Sequence, residues 1–274
     1  MSAEMKKVAM AIASHPDDIE FGMAGTLLML QKAGYEIHYM NIANGSLGTE
    51  KYDYKTIVAM RREEAMNSCK LAGFVYHESI CDDLEVFYSP ELFGKVVPEL
   101  RDAHPQILLT HGPYDYMEDH VNAGRLATSA AFCRGMGNAK TSRPAAKFDD
   151  PITVYHSMPH SLSDSLRRPV IPGIFVNIES VIEKKKAMLS CHKSQQSWLD
   201  VSQGNNSYTQ DLVDRGEYFG KMSKRYQYAE GWIRHNPLGF CDPDDNPLMD
   251  VLGAVGDAFI NENFEKTTRV ENYI

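Results

Sequence analysis

The stretch Val8-Ala9-Met10-Ala11-Ile12-Ala13-Ser14-His15-Pro16-Asp17-Asp18 sets the reading of this chain, because six apolar residues run almost directly into a histidine, a proline and two carboxylates. An apolar run this short reads as a buried strand, and a strand that ends in His-Pro-Asp-Asp is suited to holding a ligand. His15 and Asp18, three positions apart around a turn that enters a helix, can aim an imidazole nitrogen and a carboxylate oxygen at one point, a donor pair that suits Zn²⁺. Asp17 is then free beside the ion, where hydrolysis needs a general base. The same four residues also fit a plain helix start, with Asp as the cap, Pro in the first turn and negative charge complementing the helix dipole.

Outward from this stretch the pattern alternates. Strands are expected over Lys7–Ser14, Glu36–Ala43, Val75–His77, Gln106–Thr110, Thr153–Ser157 and Ile174–Ile178. Helices are expected over Gly22–Ala33, Thr56–Ala72, Leu92–Ala103 (with Pro98 as a possible kink), Glu179–Cys191 and Gln210–Lys221, with a last helix near Leu252–Asn261. Strands and helices in alternation, joined by short loops, imply an α/β domain: a mostly parallel sheet covered on both faces, with ligands beyond the carboxyl ends of the strands. At 274 residues the chain fits one such domain.

A catalytic zinc takes three protein ligands and keeps one open position. The loop after the fourth expected strand, His111-Gly112-Pro113-Tyr114-Asp115-Tyr116-Met117-Glu118-Asp119-His120, can lie beside the His15 loop in a parallel sheet. His120 is the candidate third ligand, with Asp119 as its supporting neighbour. The net charge of −9 with 43% hydrophobic residues describes an ordinary acidic globular protein with no basic field for nucleic acid or anionic membranes. The first apolar stretch is too short for a membrane span or a signal-peptide core. Five scattered cysteines, none in a C-x-x-C pair, argue against a disulfide framework or a thiolate zinc site, so a reducing cytoplasm is the expected location.

Taken together, His15-Pro16-Asp17-Asp18-Ile19-Glu20 with Gly25-Thr26, Arg61-x-x-Glu64-Ala65, Asp119-His120 and His192-x-Ser194-Gln195 resemble the PIG-L/LmbE-like deacetylases in order and spacing, over roughly residues 7–199. The resemblance implies a Rossmann-like three-layer sandwich and zinc-dependent removal of N-acetyl groups from N-acetylglucosamine-type units, with one Zn²⁺ per chain. It makes His15, Asp18 and His120 the metal ligands and Asp17 the base, and it places Arg61 near the acetyl or sugar pocket and His192 along the cleft. The deacetylase domain is expected over residues 1–234, with 235–274 as an extension packed on it. The expected partners are a small-molecule or oligosaccharide substrate and, as a homo-oligomer, further copies of the chain.

One position departs from the family. Where its members commonly read His-Pro-Asp-His, this chain reads Met117-Glu118-Asp119-His120. The first of those histidines is credited with stabilising the oxyanion or protonating the amine, and a thioether does neither. His192, ahead of His156 and His160, is expected to approach the open metal position instead. The competing readings are a nucleotide-binding oxidoreductase, a zinc-binding homologue without turnover, and an amidase acting on a non-sugar amide. The first is disfavoured because Gly22-x-x-Gly25 lies within the helix and no G-x-G-x-x-G follows the first strand. Arg61 has its own plain reading as a surface helical pair with Glu64.

Overall fold

Strand β1 (Val8–Ala13) is buried along its whole length. Ala9, Ala11 and Ala13 face one apolar core and Met10 and Ile12 the other, as expected of a central strand whose side chains alternate between two covered faces. The computed structural model describes residues 6–196 and 208–268. Within them β1 belongs to an eight-stranded sheet with β2 (Glu36–Asn41), β3 (Val75–His77), β4 (Ile107–His111), β5 (Thr153–Ser157), β6 (Ile174–Asn177), β7 (Ala229–Arg234) and β8 (Ala258–Ile260), in the order β3-β2-β1-β4-β5-β7-β6-β8. The first five strands pair in parallel, and β7, β6 and β8 complete the sheet in antiparallel fashion.

Helices α1 (Asp18–Gly22), α2 (Ala24–Lys32), α3 (Tyr54–Ala72), α6 (Ile182–Leu189) and α7 (Tyr208–Ser223) cover one face, through residues such as Ile19, Leu27, Cys69, Met188 and Leu212. Helices α4 (Pro90–Ala103) and α5 (Glu118–Phe132) cover the other through Val97 and Leu126. The result is a three-layer α/β sandwich in a single domain. From β1 the chain turns to β2 on one side, and from β4 it turns to β5 on the other. The crevice beyond the carboxyl ends of β1 and β4 is therefore the topological switch point, where ligands bind in open α/β sheets.

The structure differs from the expected elements at three places. The helix expected over Gly22–Ala33 is α2 (Ala24–Lys32), but a separate short helix, α1 (Asp18–Gly22), precedes it, and the two part at Met23. The cause is distant in sequence: the Glu230 carboxylate, on β7, accepts hydrogen bonds from the amides of Gly25 (2.8 Å) and Thr26 (2.7 Å), and so starts α2 afresh. Gly25 is required there, since a Cβ would stand 2.6 Å from both Glu230 Oε1 and Ile178 Cγ2. Strand β7 itself went unrecognised because Glu230, Gly231 and Arg234 interrupt its apolar pattern, although Glu230 is paired with Lys185 at 2.7 Å inside the core. The helix expected near Leu252–Asn261 is instead α8 (Pro247–Val251), a 3₁₀ turn (Gly253–Val255) and β8, with Gly256 in the left-handed region between them. Pro98 stands inside α4 without dividing it. A short helix α9 (Glu262–Thr268) follows β8. No helix among the described residues is long and apolar enough to cross a membrane.

Candidate active site

His15 leaves the end of β1 with its backbone held on both sides: its amide donates to Asp18 Oδ2 (2.6 Å), and its carbonyl accepts from Asn41 Nδ2 on β2 (2.6 Å). Its Nδ1 lies 3.4 Å from Asp18 Oδ2, while Nε2 lies 3.0 Å from Asp119 Oδ2. His120, in the first turn of α5, brings Nε2 to 3.3 Å from Asp18 Oδ1 and Nδ1 to 3.2 Å from Asp115 Oδ1. The donor atoms of His15, Asp18 and His120 all lie within 4.8 Å of one another, so the cluster could hold a metal ion. Each imidazole turns one nitrogen toward the common centre and has a carboxylate behind the other, an arrangement typical of metal-ligating histidines. Asp119 thus supports His15, not His120 as expected. The partner behind His120 is Asp115, a residue of the quoted loop to which the sequence reading gave no part.

An overlapping trio, His111, Asp115 and His120, also lies within 4.8 Å. Its His111 Nε2 already accepts the Ser14 amide (3.1 Å), and its ring stacks on His120 at 4.2 Å between centroids. Electrostatics bind the first trio together. Burial opposes the charge of all three groups, yet His120 and His111 hold the Asp18 carboxyl well below the usual range. Asp119 and Asp18 lift His15 to about 9, and Asp18 with Asp115 lifts His120 to about 10. These nitrogens are basic and held in fixed orientations, the donor chemistry a divalent ion uses.

Asp17 occupies the N-cap position of α1, but its side chain caps nothing. Its carboxylate instead accepts from the Tyr208 hydroxyl (2.5 Å) and lies 3.4 Å from the Arg61 guanidinium. Its backbone has φ +114°, an unfavourable conformation for a residue with a Cβ, of the kind that concentrates at functional sites. Burial pushes its carboxyl upward, against Arg61. The geometry therefore departs from a plain helix cap.

Arg61 does not pair with Glu64. Its side chain is buried and donates to the Pro16 carbonyl, while Glu64 accepts from the amide and hydroxyl of Ser194, both at 2.7 Å. The loop after β2 closes over it, and at Gly48 a Cβ would sit 2.7 Å from Arg61 Nη1. Gln195 donates to the Gly48 carbonyl (2.8 Å) and reaches the cavity wall.

A cavity of about 410 Å³ opens over the cluster, lined by His15, Asp17, Asp18, His120 and Arg61 among others. His192 is not in its wall. It is completely buried, with Nε2 3.1 Å from Glu20, which also receives the Tyr39 and Ser68 hydroxyls. The expectation that His192 lines the cleft is therefore corrected: the two residues of α1 beyond Asp18 carry Glu20 inward, and His192 follows it. His156 is also turned away, between the His111 carbonyl (2.7 Å) and His235 (2.8 Å). Of the three later histidines, His160 is the one at the cavity. Tyr208, Arg215 and Tyr116 line it as well. Nothing in the local sequence marks Tyr208 or Arg215, because both reach the site from a helix that crosses from elsewhere in the chain.

The family model described as GlcNAc-PI de-N-acetylase, PIG-L, matches residues 10–131. The diacetylchitobiose deacetylase of Thermococcus kodakarensis is 31% identical over 241 residues, covering 85% of this chain and 84% of that protein. The 4-oxalmesaconate hydratase of Pseudomonas putida is 25% identical over 241 residues, covering 82% and 88%. Among solved structures, the N,N'-diacetylchitobiose deacetylase of Pyrococcus horikoshii shares the fold with a TM-score of 0.71 at 22% identity, over 88% of each chain. The chain belongs to the PIG-L family of deacetylases. It is thereby an enzyme of the class that hydrolyses amide bonds.

Proposed function

We propose that this protein is a zinc-dependent N-deacetylase that releases acetate from an N-acetylglucosamine-type unit of an oligosaccharide or glycoconjugate. The observation that carries the reading is the carboxylate of Asp17, outside the His15–Asp18–His120 trio but beside it in one cavity, supported by the likeness to a diacetylchitobiose deacetylase. A bound zinc would polarise the acetyl carbonyl and acidify a water. Asp17 is then the base that takes the water's proton and returns it to the departing nitrogen, since an amide nitrogen leaves only when protonated. Tyr208 and Arg61 hold that carboxylate in place, and Asp119 and Asp115 fix the imidazoles. A cavity of about 410 Å³ is of the size that takes a small-molecule ligand.

In this reading residues 1–234 form the deacetylase domain, the extension after it completes the same sheet with β8, and the protein works in a reducing cytoplasm, as one copy or several. The test is acetate release from a panel containing N-acetylglucosamine, diacetylchitobiose and an aryl acetamide. Release from the sugars supports the proposal. Release from the aryl acetamide alone leaves an amidase of another substrate class. The hydratase relative supplies the rival reaction, and turnover of an unsaturated polycarboxylate without any acetate release would establish it in place of deacetylation.

A further inference from the structure

The deacetylase reading leaves one chemical need unmet by the residues described so far. When water adds to the acetyl carbon, negative charge develops on the acetyl oxygen, and preorganised N–H or O–H donors aimed at that oxygen are worth a large part of the barrier. The position that carries a histidine in the family carries Met117 here, and Met117 does line the cavity. Its thioether has no proton to give.

The described histidines at the cavity are His15, His111, His120 and His160. The first and third belong to the metal trio, and His111 is buried with Nε2 engaged by Ser14. His160 differs from them: it belongs to neither the metal trio nor the Ser14 contact, and it is an exposed residue of the cavity wall. Its backbone is fixed. Arg215 donates to three successive carbonyls, those of Met158 (2.6 Å), Pro159 (3.0 Å) and His160 itself (3.1 Å). Its ring meets the edge of Phe21 at 5.1 Å, and Phe21 in turn packs on Tyr208, the residue bonded to Asp17. His160 lines the same cavity wall as Asp17, Asp18 and His120.

We propose that His160 supplies the N–H donor to the acetyl oxygen that Met117 cannot, and that Arg215 is the positioning residue that holds it there. The inference rests on the deacetylase reading. In the step it serves, the water oxygen bonds to the acetyl carbon as Asp17 takes the water proton, and the carbonyl electron pair moves onto oxygen, which accepts the His160 N–H as a hydrogen bond. On collapse the C–N bond breaks, the nitrogen takes the proton from Asp17, and the free amine and acetic acid leave, the acid passing the second water proton to solvent to become acetate. His160 keeps its own proton throughout. The rival donor in the cavity is the Tyr116 hydroxyl, whose ring lies edge-on to His120 at 5.8 Å.

The experiment measures kcat and KM for acetate release from diacetylchitobiose, with metal content and thermal stability of each variant. Removing one oxyanion donor lowers kcat by about 10²- to 10³-fold, and that loss is expected for His160→Ala with KM, metal content and stability little changed. His160→Gln, which retains an N–H, recovers part of it. Arg215→Ala lowers kcat in the wild-type background but adds little in the His160→Ala background, a non-additivity that a purely structural role would not give. A His160→Ala enzyme with near wild-type kcat, or one impaired only in KM, overturns the proposal, as does Tyr116→Phe taking the whole kcat loss instead. A wild-type protein that releases no acetate from any substrate in the panel fails the deacetylase reading itself, and the proposal with it.

Discussion

The Asp119 carboxylate lies 3.0 Å from Nε2 of His15, joining the first turn of α5 to the loop after β1 across 104 residues of sequence. The same oxygen accepts the Leu84 amide at 2.7 Å. One carboxylate thereby ties three separate loops together and fixes which nitrogen of His15 faces the trio. Asp119→Ala should leave the fold intact and weaken metal binding by about 10- to 100-fold, the usual effect of removing a group behind a metal-bound histidine. Asp115→Ala should do the same through His120. Titration of the metal-stripped protein with zinc, followed calorimetrically, measures both; unchanged affinity in the two variants would remove these carboxylates from the account.

Asp17→Asn keeps the size of the side chain and a partner for Tyr208 but cannot take a proton. The variant should fold, bind metal at one ion per chain and lose about 10²- to 10⁴-fold in turnover, the range for a general base. Acetate release with parallel elemental analysis checks this. Near-normal turnover would assign proton removal to another group.

His192 and Glu20 are both completely buried, with Nε2 and Oε1 3.1 Å apart. Burial opposes the imidazolium, yet Glu20 raises the His192 pKa above its ordinary value. Truncating one member leaves the other charged group buried without its counterpart, and His192→Ala should destabilise the protein by about 3–5 kcal/mol. Because Glu20 lies in α1 two residues after Asp18, some activity should fall with stability. Urea unfolding at neutral pH measures the effect, and a variant as stable as wild type would show the pair to be dispensable.

His156 predicts the acid side of the stability profile. Its ring is buried and fully engaged between the His111 carbonyl and His235, and burial lowers its pKa to about 4. The folded protein therefore binds this proton more weakly than the unfolded chain does. Its contribution is complete above about pH 6.5 and is lost progressively as pH falls to about 4, up to about 3 kcal/mol in all. His156→Gln should flatten the slope of unfolding free energy across that window relative to wild type. Parallel slopes in the two proteins would place the acid sensitivity elsewhere.

The parts of this protein legible in its sequence are those whose causes are local. The apolar run of β1 and the helix of α3, with Asp53 as its cap and Gly73 as its stop, are written in consecutive residues. So is the approach of His15 to Asp18 across one turn. Joining His120 to them needed only the rule that neighbouring parallel strands present their loops together. The family likeness rested on such segments, and the alternation of strands and helices was enough to place the site at the strand ends. Tertiary structure alone decided the rest, because each remaining feature depends on groups far apart in the chain. Glu230 splits the first helix from 204 residues away, and Asp119 is drawn to His15 because the first turn of α5 faces the β1 loop. His192, in a segment that reads like cleft lining, is pulled into the interior by Glu20. Which charged group meets which is fixed by the packing of loops from opposite ends of the chain, and burial then makes each such pairing obligatory.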